Sequence, residues 1–338
     1  IEHGTPTMPY ACAMGEFDLI AHYFTRPVRR AALGVGDDCA LLRVAPGMQL
    51  AVSSDMLVAG RHFFEDVNPR HLGHKSLAVN LSDLAACGAK PLAFTLALSL
   101  PRVEEAWLKE FAGGLLALAD AHECELVGGD TTQGPLNICI TIFGEVPPGH
   151  ALLRSAAKVG DDIWVSGTLG DARLALDAQF GKIAALPSDL LESATQRLEC
   201  PTPRVALGLA LRGIATSALD LSDGLLGDLS HILQQSQVGA EIDADVVLQT
   251  MAARHHGNGS LSLTDDQWYQ CVLAGGDDYE LAFTAPAKAR AQVMAAAQSA
   301  HTPVTRVGQV TQEPGIRVLD RHGHPLKNQS WASFDHFA

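Results

Sequence analysis

The sequence predicts an α+β protein built from two domains. Its 338 residues exceed the usual size of one hydrophobic core, and a hydrophobic content of 47% with 18% charged residues is typical of a globular chain. The Pro-Pro-Gly turn at 147–149 is the strongest boundary signal. Hairpin-like strands mixed with strand–helix units favour α+β over a doubly wound sheet. We therefore expect an N-terminal extension at 1–13 before a start-like Met14, and domains at 14–148 and 149–338.

Apolar periodicity predicts the elements of the first domain. Pro69 marks the start of a helix, and Gly88 followed by Pro91 marks its end. Short apolar runs that lead into glycine or serine turns are typical of strands. The expected elements are helices at 16–24, 69–88 and 104–121, and strands at 50–52, 92–100, 124–127 and 137–146.

The second domain shows the same two kinds of signal. Ser188 follows Pro187 and is a good N-cap for a helix. The stretch 251–263 is polar and glycine-punctuated, which indicates a surface loop. The expected elements are helices from 171 and at 188–198, 205–211, 225–235 and 286–300, and strands at 162–166, 217–221, 271–274, 280–284, 304–310 and 316–319.

Aspartates recur at turns along two-thirds of the chain. Most follow a short apolar run, so we expect buried strands that deliver a carboxylate at their ends. Asn80 and Asp83 are three residues apart and share one face of the helix that contains them. The segments are Gly-Val-Gly-Asp-Asp (34–38), Ser-Ser-Asp (53–55), Asn-Leu-Ser-Asp (80–83), Gly-Gly-Asp-Thr-Thr (128–132), Asp-Leu-Ser-Asp-Gly (220–224) and Gly-Gly-Asp-Asp-Tyr-Glu (275–280).

Convergence of these turns would create an anionic pocket rich in oxygen. Mg²⁺ and Ca²⁺ are the cations that prefer oxygen ligands, and they would neutralise carboxylate and phosphate together. Each aspartate alone is more often an ordinary turn residue, whereas six such turns in one chain favour metal and phosphate chemistry. Asp38 and Asp55 are the strongest metal candidates, with oxygens from Ser53 and Ser54 nearby.

Composition excludes several classes of partner. The net charge of −14 argues against nucleic acid and against an anionic membrane surface. No apolar run reaches the roughly 18 residues of a membrane span. The seven cysteines occur singly, without Cys-x-x-Cys pairs, which is the pattern of a reduced, cytoplasmic protein. We therefore expect a cytoplasmic location, with no nucleic acid and no membrane as a partner.

Familiar nucleotide motifs are absent from the sequence. It has no Walker A loop, no Gly-x-Gly-x-x-Gly segment and no His-Arg-Asp kinase loop. Phosphoryl transfer still remains open, because it needs mainly positioning and charge neutralisation. His62 is either structural or a substrate contact, and Arg154 forms either an ion pair or a contact to a nucleotide phosphate.

In this order the six segments resemble the thiamine-monophosphate kinase family, within the PurM-like superfamily of aminoimidazole-ribonucleotide-synthetase-like ATP-binding proteins. The resemblance runs from Met14 to the C-terminus, and the ordered set is far more specific than any one segment. It implies ATP-dependent phosphorylation of thiamine monophosphate to thiamine diphosphate, the last step in making that cofactor. It also implies a homodimer in which the N-terminal sheets of two subunits join in one barrel.

The resemblance also implies roles for individual residues. The implied ligands of several Mg²⁺ ions are Asp38, Ser53, Ser54, Asp55, Asp83, Asp130, Asp220 and Asp223. The implied ATP contacts are Gly129, Asp130, Arg154 and Ser222, and the implied thiamine-monophosphate contacts are His62, Asp277 and Phe334. Asp277 stands where the family often has glutamate, and Phe334 where it often has tyrosine. Phe334 keeps the capacity to stack on a ring but has no hydroxyl to donate.

The implied chemistry is direct in-line transfer without a general base, since a phosphate monoester is already ionised near neutral pH. Other members of the superfamily remain alternatives, among them selenophosphate synthetase, a hydrogenase-maturation dehydratase and the purine synthetase itself. The first would need a reactive Cys and Lys near the N-terminus, and the second a C-terminal cysteine; the chain ends His-Phe-Ala. A non-catalytic protein that binds cations or nucleotides is the alternative from a different class.

Overall fold

The chain forms two sheets, each with its own helices. The computed structural model describes residues 15–256, 261–326 and 331. Within these residues a four-stranded sheet precedes the predicted boundary at 148/149 and a six-stranded sheet follows it. The expected extension at 1–13 lies outside the described residues.

The first sheet has the strand order β1-β4-β2-β3, in which β2 and β3 run parallel and the other neighbours antiparallel. Helices α2 and α3 pack against each other and against this sheet. The elements are α1 (Glu16–Leu19), continued by a π-helical turn (Ile20–Phe24), β1 (Gln49–Val58), α2 (Pro69–Ala86), β2 (Lys90–Leu100), α3 (Glu105–Ala121), β3 (Glu125–Gln133) and β4 (Asn137–Val146).

The second sheet has the order β10-β7-β9-β5-β8-β6, with only β7 and β10 parallel. Its central strand β5 is buried along its whole length. The elements are β5 (Asp161–Ser166), α4 (Asp171–Gln179), α5 (Ser188–Glu199), α6 (Val205–Ala210), β6 (Ser217–Asp220), α7 (Leu225–Ser236), β7 (Gly239–Asp243), α8 (Ala244–Gln249), α9 (Asp265–Ala274), β8 (Leu281–Pro286), α10 (Arg290–Ser299), β9 (Val304–Thr311) and β10 (Gly315–Leu319), with 3₁₀ turns at Ala252–His255 and Ala287–Ala289.

Helix α2 connects the two units. Asn68 caps its start by accepting a hydrogen bond from the Arg70 backbone N–H at 2.9 Å, and Pro69 occupies its first turn. One side of the helix packs on the first sheet, while another contacts β6, α5 and α6 of the second unit. Polar side chains on α2 are therefore buried between two units rather than exposed to solvent.

Strand β1 is an edge strand whose two faces differ. Within the described residues it pairs only with β4, in an unbroken register from Gln49 opposite Val146 to Val58 opposite Asn137. Ser53 and Asp55 alternate with more exposed residues along the strand. On the opposite face three apolar side chains remain exposed, namely Leu50 (46%), Val52 (56%) and Met56 (52%).

Two sequence expectations about strands are wrong. Ser53-Ser54-Asp55 and Gly128-Gly129-Asp130 lie within β1 and β3, not at strand ends. Backbone pairing with neighbouring strands outweighs the low strand propensity of serine, glycine and aspartate. Asp220 is the last residue of β6, as expected.

The expected strand at 271–274 is also wrong, because these residues form the last turn of α9. A capping box between Thr264 and Gln267 starts that helix, and the buried apolar run continues it. The structure further adds β7 and α8 at 239–249, which apolar periodicity did not predict. Within 251–263 the described residues contain one 3₁₀ turn, Ala252–His255.

Two observations concern the described residues as a whole. None of their helices combines the length and the apolar character that a membrane-spanning segment requires. Their six cysteines are all free.

Candidate active site

Three aspartate segments meet where α2 crosses between the two units. The Ser53 hydroxyl on β1 donates a hydrogen bond to the Asp83 carboxylate on α2. One residue earlier on the helix, the Ser82 hydroxyl donates to Asp220 Oδ2 at the end of β6, at 2.8 Å. Ser82 and Asp220 are 138 residues apart along the chain, so distant segments are joined in one group of oxygen atoms.

Burial and mutual repulsion control the ionisation of this group. Burial, followed by the charge of Asp83, raises the pKa of Asp55 to about 7. Burial, with Asp83 as the next cause, raises the pKa of Asp220 to about 8. Burial also raises the pKa of Asp83, although hydrogen bonds from Ser53 and Asp55 oppose the shift. The pocket therefore concentrates more negative charge than its protein surroundings neutralise.

The second unit contributes two turns that are hydrogen-bonded to each other. The backbone N–H of Asp277 donates to the Ser222 carbonyl at 2.9 Å, and that of Tyr279 donates to the Leu221 carbonyl at 2.8 Å. A Cβ on Gly276 would lie 2.5 Å from the Ser222 carbonyl oxygen, so only glycine permits this approach. The segments at 220–224 and 275–280 consequently form one surface.

Asp228 stabilises the turn at 220–224 through backbone hydrogen bonds. Its Oδ2 accepts hydrogen bonds from the backbone N–H groups of Asp223 and Gly224, each at 3.0 Å. Burial is the first cause that raises the pKa of Asp228, to about 6. Asp223 is half-buried beside it.

Tyr279 lies close to aspartates from both units. Burial first, and then the charges of four aspartates from both units, raise the pKa of its phenol well above the usual value. These aspartates are Asp277, Asp55, Asp220 and Asp223. Asp277 itself forms an ion pair with Lys75 of α2, with 2.7 Å between Nζ and Oδ1.

Two further predicted residues lie near this pocket. Arg154 is exposed, and its positive charge lowers the pKa of Asp83, in opposition to burial. His62 follows β1 and is half-buried, and its Nδ1 accepts a hydrogen bond from the Val58 backbone N–H at 3.0 Å. In the neutral ring the proton is then on Nε2.

The structure does not bring the remaining predicted residues to the same group of atoms. Asp38 is exposed in the irregular segment before β1. Asp130 is exposed on β3, at the opposite edge of the sheet from β1, so three strand spacings of about 4.8 Å each separate the two strands. A Cβ on Gly129 would lie 1.8 Å from the Leu96 carbonyl oxygen, so glycine is required there. Phe334 lies outside the described residues.

Sequence reasoning missed four residues of the pocket: Lys75, Ser82, Asp228 and Tyr279. Ser82 and Tyr279 lie inside the quoted segments but received no role. Lys75 lies two residues before Leu77, where the apolar stripe of the helix begins, and a lysine so close to that stripe is the signal that could have identified it. Asp228 has the weakest signal, because a first-turn aspartate in a helix is common.

The donor set fits a hard divalent cation. The side chains that converge offer carboxylate and hydroxyl oxygens, which are the ligands that Mg²⁺ prefers. Within residues 15–256, 261–326 and 331, no three His, Cys, Asp or Glu side chains are grouped so as to hold a metal ion by themselves. Mg²⁺ is commonly held by one or two carboxylates together with substrate phosphates, so the phosphates of a substrate would complete such a site.

Known proteins are similar to this chain in sequence and in fold. The AIR synthase related protein N-terminal domain matches residues 36–146, and the corresponding C-terminal domain matches residues 158–321. Thiamine-monophosphate kinase of Salmonella typhimurium is 44% identical over 331 residues, which cover 96% of this chain and 99% of that protein.

Solved structures agree with this match. Thiamine-monophosphate kinase from Stenotrophomonas maltophilia K279a aligns with a TM-score of 0.78 and 46% identity, covering 88% of this chain and 92% of that one. AaThiL complexed with AMPPCP and TMP aligns with a TM-score of 0.69 and 26% identity, covering 90% of this chain and 92% of that one. The chain therefore belongs to the thiamine-monophosphate kinase family of enzymes and has its two-domain PurM-like fold.

Proposed function

We propose that the protein phosphorylates thiamine monophosphate to thiamine diphosphate with ATP as the phosphoryl donor. The observation that carries the proposal is the pair of hydrogen bonds that joins Ser53, Asp83, Ser82 and Asp220 from both units into one anionic group. The complex of the related AaThiL with AMPPCP, an ATP analogue, and TMP supports the same pair of ligands here.

The excess of carboxylates supports a requirement for Mg²⁺. The residues proposed to hold several ions are Asp38, Ser53, Ser54, Asp55, Asp83, Asp130, Asp220 and Asp223. When bound, Mg²⁺ would supply positive charge that offsets the repulsion between two polyanionic substrates. The raised pKa values of Asp55 and Asp220 support this role, since burial and the neighbouring Asp83 disfavour their charged forms unless a cation binds.

The chain's own residues divide the remaining tasks. The ATP contacts are proposed to be Gly129, Asp130, Arg154 and Ser222, and the substrate contacts His62 and Asp277, together with Phe334. Gly129 is exposed and has no side chain of its own, so a ligand can approach its backbone. Arg154 supplies an exposed positive charge beside Asp83.

The proposed reaction is direct in-line attack by an oxygen of thiamine monophosphate on the γ-phosphorus of ATP. The second pKa of a phosphate monoester is about 6, so the nucleophile is ionised near neutral pH. No general base is required, and none is assigned. The task of the site is then to align two phosphates and to screen their charges.

We further propose that two copies associate through the exposed face of β1, so that the N-terminal sheets form a shared barrel. Leu50, Val52 and Met56 expose 46%, 56% and 52% of their surface on that face, opposite to Asp55. The variant Val52→Asp should reduce the mass measured by light scattering from dimer to monomer. Val159→Asp, at an apolar residue of the second unit that is 51% exposed, is the matched control and should leave the mass unchanged. A wild-type protein that is monomeric at micromolar concentration would contradict this proposal.

An assay of ADP release tests the main proposal. Purified protein with ATP and Mg²⁺ should release ADP when thiamine monophosphate is added, and thiamine diphosphate should form in equal amount. Thiamine and unrelated phosphomonoesters are the parallel substrates. Activity with thiamine but not with its monophosphate would overturn the assignment, as would ADP release that does not depend on any acceptor.

A further inference from the structure

We propose that Lys75 is a positioning residue for substrate binding, which holds the Asp277 carboxylate in the orientation that thiamine monophosphate requires. The inference rests on the proposed function and adds a residue to it. Lys75 lies on α2 in the first unit, whereas Asp277 lies in the turn of the second unit, 202 residues later in the chain. Their ion pair therefore sets the position of the Asp277 carboxylate, the proposed substrate contact, across the boundary between the units.

The burial of Lys75 is the first step of the argument. Only 5% of its side chain is exposed, and its Nζ lies 2.7 Å from Asp277 Oδ1. Among the described residues Asp277 is its one hydrogen-bonding partner. A buried ammonium group costs several kcal/mol in lost hydration, and an apolar side chain would pack a helix interface at less cost. Packing alone therefore gives no reason for a lysine at this position.

The geometry of Asp277 is the second step. Its backbone has a φ of 68°, in the left-handed region that disfavours residues with a side chain. The backbone hydrogen bond from Asp277 to the Ser222 carbonyl holds this conformation, but it does not fix the carboxylate. Lys75 binds Oδ1, while the Asp277 side chain keeps 31% of its surface exposed. Oδ2 thus remains available to a ligand while the rotation of the group is restricted.

The surrounding charge is the third step. The negative charges of Asp55, Asp220 and Asp223 raise the pKa of the Tyr279 phenol, as the charge of Asp277 does. These carboxylates therefore lie in the same region as Asp277. Repulsion among like charges would drive an unrestrained Asp277 side chain towards solvent. Lys75 supplies an opposite charge at hydrogen-bonding distance and keeps the carboxylate at the pocket.

Neighbouring contacts on α2 separate this role from domain docking. His71, one turn before Lys75, donates from Nδ1 to Glu199 Oε2 at 2.7 Å, and His74 donates from Nε2 to the Pro201 carbonyl at 2.8 Å. Both contacts also join α2 to the second unit, but neither involves a predicted substrate residue. They provide a matched comparison within one helix face.

The test is steady-state kinetics of Lys75→Met in the full chain with ATP and Mg²⁺. Methionine is unbranched like lysine, carries no charge and suits a buried site. The partly exposed Asp277 can be hydrated, so the variant should fold. We expect the KM for thiamine monophosphate to rise about tenfold, as loss of orientation predicts. The kcat and the KM for ATP should change by less than about twofold, because neither ATP nor the reacting phosphates contact Lys75 in the proposed arrangement.

Two controls make the result specific. His71→Ala, which removes a contact between the same helix and the second unit, should leave both KM values unchanged. The double variant Lys75→Met/Asp277→Asn should show little more than the effect of Asp277→Asn alone, because Lys75 acts through Asp277. If Lys75→Met does not fold, Lys75→Gln keeps an N–H donor without the charge and should raise the same KM by a smaller factor.

The outcomes separate the inference from the proposed function. A wild-type protein that does not phosphorylate thiamine monophosphate would overturn the proposed function before any variant is compared. With an active wild type, the inference is overturned if Lys75→Met raises both KM values equally or lowers only kcat. Additive effects in the double variant would overturn it as well.

Discussion

Two groups of buried carboxylates in this protein differ in what neutralises them. Glu280 and Asp162, which we call the paired acids, are fully buried and each lies within 4 Å of two arginines. Asp55, Asp83 and Asp220, which we call the site acids, have other aspartates as neighbours. A buried acid that the protein neutralises is costly to remove, because its arginines would lose their counter-charge, whereas a buried acid beside other acids leaves charge for a ligand to match.

The pKa directions express this difference. The hydrogen bond from Arg290 is the main cause that lowers the pKa of Asp162. Burial is the main cause that raises the pKa of all three site acids. Burial is thus common to the two groups, and the arginine partners account for the contrast.

Removing a paired acid should have the largest effect on stability. Glu280 accepts hydrogen bonds from Arg197 at 2.9 Å, from Arg204 Nε at 2.6 Å and from Ser166 at 2.6 Å. Glu280→Gln would leave two arginines without their counter-charge, and we expect it to lower the free energy of unfolding by roughly 3–5 kcal/mol. Urea unfolding followed by tryptophan fluorescence measures this change.

Glu313→Gln is the control for that experiment. Glu313 also pairs with an arginine, Arg317, but it is 79% exposed. Solvent screens this pair, so we expect no measurable change in unfolding. An equal loss of stability in both variants would contradict the distinction between buried and exposed acid–arginine pairs.

Removing a site acid should reduce catalysis rather than stability. Asp83→Asn retains an oxygen that can accept the hydrogen bond from Ser53 but removes one negative charge. Asp55→Asn removes the negative charge of the neighbouring Asp55. We expect kcat to fall by about 10²–10³-fold in each, as on loss of one group that stabilises transition-state charge. Without Mg²⁺, the unfolding midpoint should stay the same or rise, because like-charge repulsion is relieved.

Surface charge removal provides the comparison for these variants. Glu192 is exposed on α5, and Glu192→Gln should alter neither kcat nor the unfolding midpoint. Normal turnover in both Asp83→Asn and Asp55→Asn would remove the site acids from the reaction and leave their contrast with the paired acids purely structural.

The smallest expected effect is a pH dependence of stability in the Mg²⁺-free protein. The folded-state pKa values of Asp55, Asp220 and Asp228 are about 7, 8 and 6, all above the unfolded value of 3.8. Between these values the folded protein binds more protons than the unfolded chain, so its stability falls as the pH rises. The melting temperature without Mg²⁺ should therefore be a few degrees lower at pH 8.5 than at pH 6.

Two additions sharpen this pH experiment. Saturating Mg²⁺ with a non-hydrolysable ATP analogue should flatten the dependence, because bound cations keep the carboxylates ionised at both pH values. Asp55→Asn should reduce the slope without ligand. A melting temperature that rises between pH 6 and pH 8.5 would contradict the raised pKa values of the site acids.

The accuracy of the sequence predictions depended on how local each signal was. Pro69 and the glycine stop of α2 predicted its limits well, because these start and stop signals depend on residues within one turn. The strand expected at 271–274 is wrong because a short apolar run is compatible with a strand or with a buried helix turn, and packing decides between them. The aspartates within β1 and β3 show the same limit, since strand length follows from pairing with distant partners.

In the candidate site, too, local signals were predicted from the sequence and contacts between distant residues were not. The ordered segments predicted the family, which full-length similarity confirms. They could not predict Lys75 opposite Asp277, because that contact joins residues 202 positions apart. Nor could they show that Asp130 lies at the far edge of the sheet from Asp55, because strand order is a property of the folded chain.

By itself, then, the sequence determined the residue types, their order and the family, because these depend on short segments read one after another. The tertiary structure alone decided which aspartates share a pocket, which buried acids the arginines neutralise, and which lysine reaches Asp277. The physical reason is that burial and Coulomb interactions depend on distances in space, and those distances exist only once α2 lies between the two sheets.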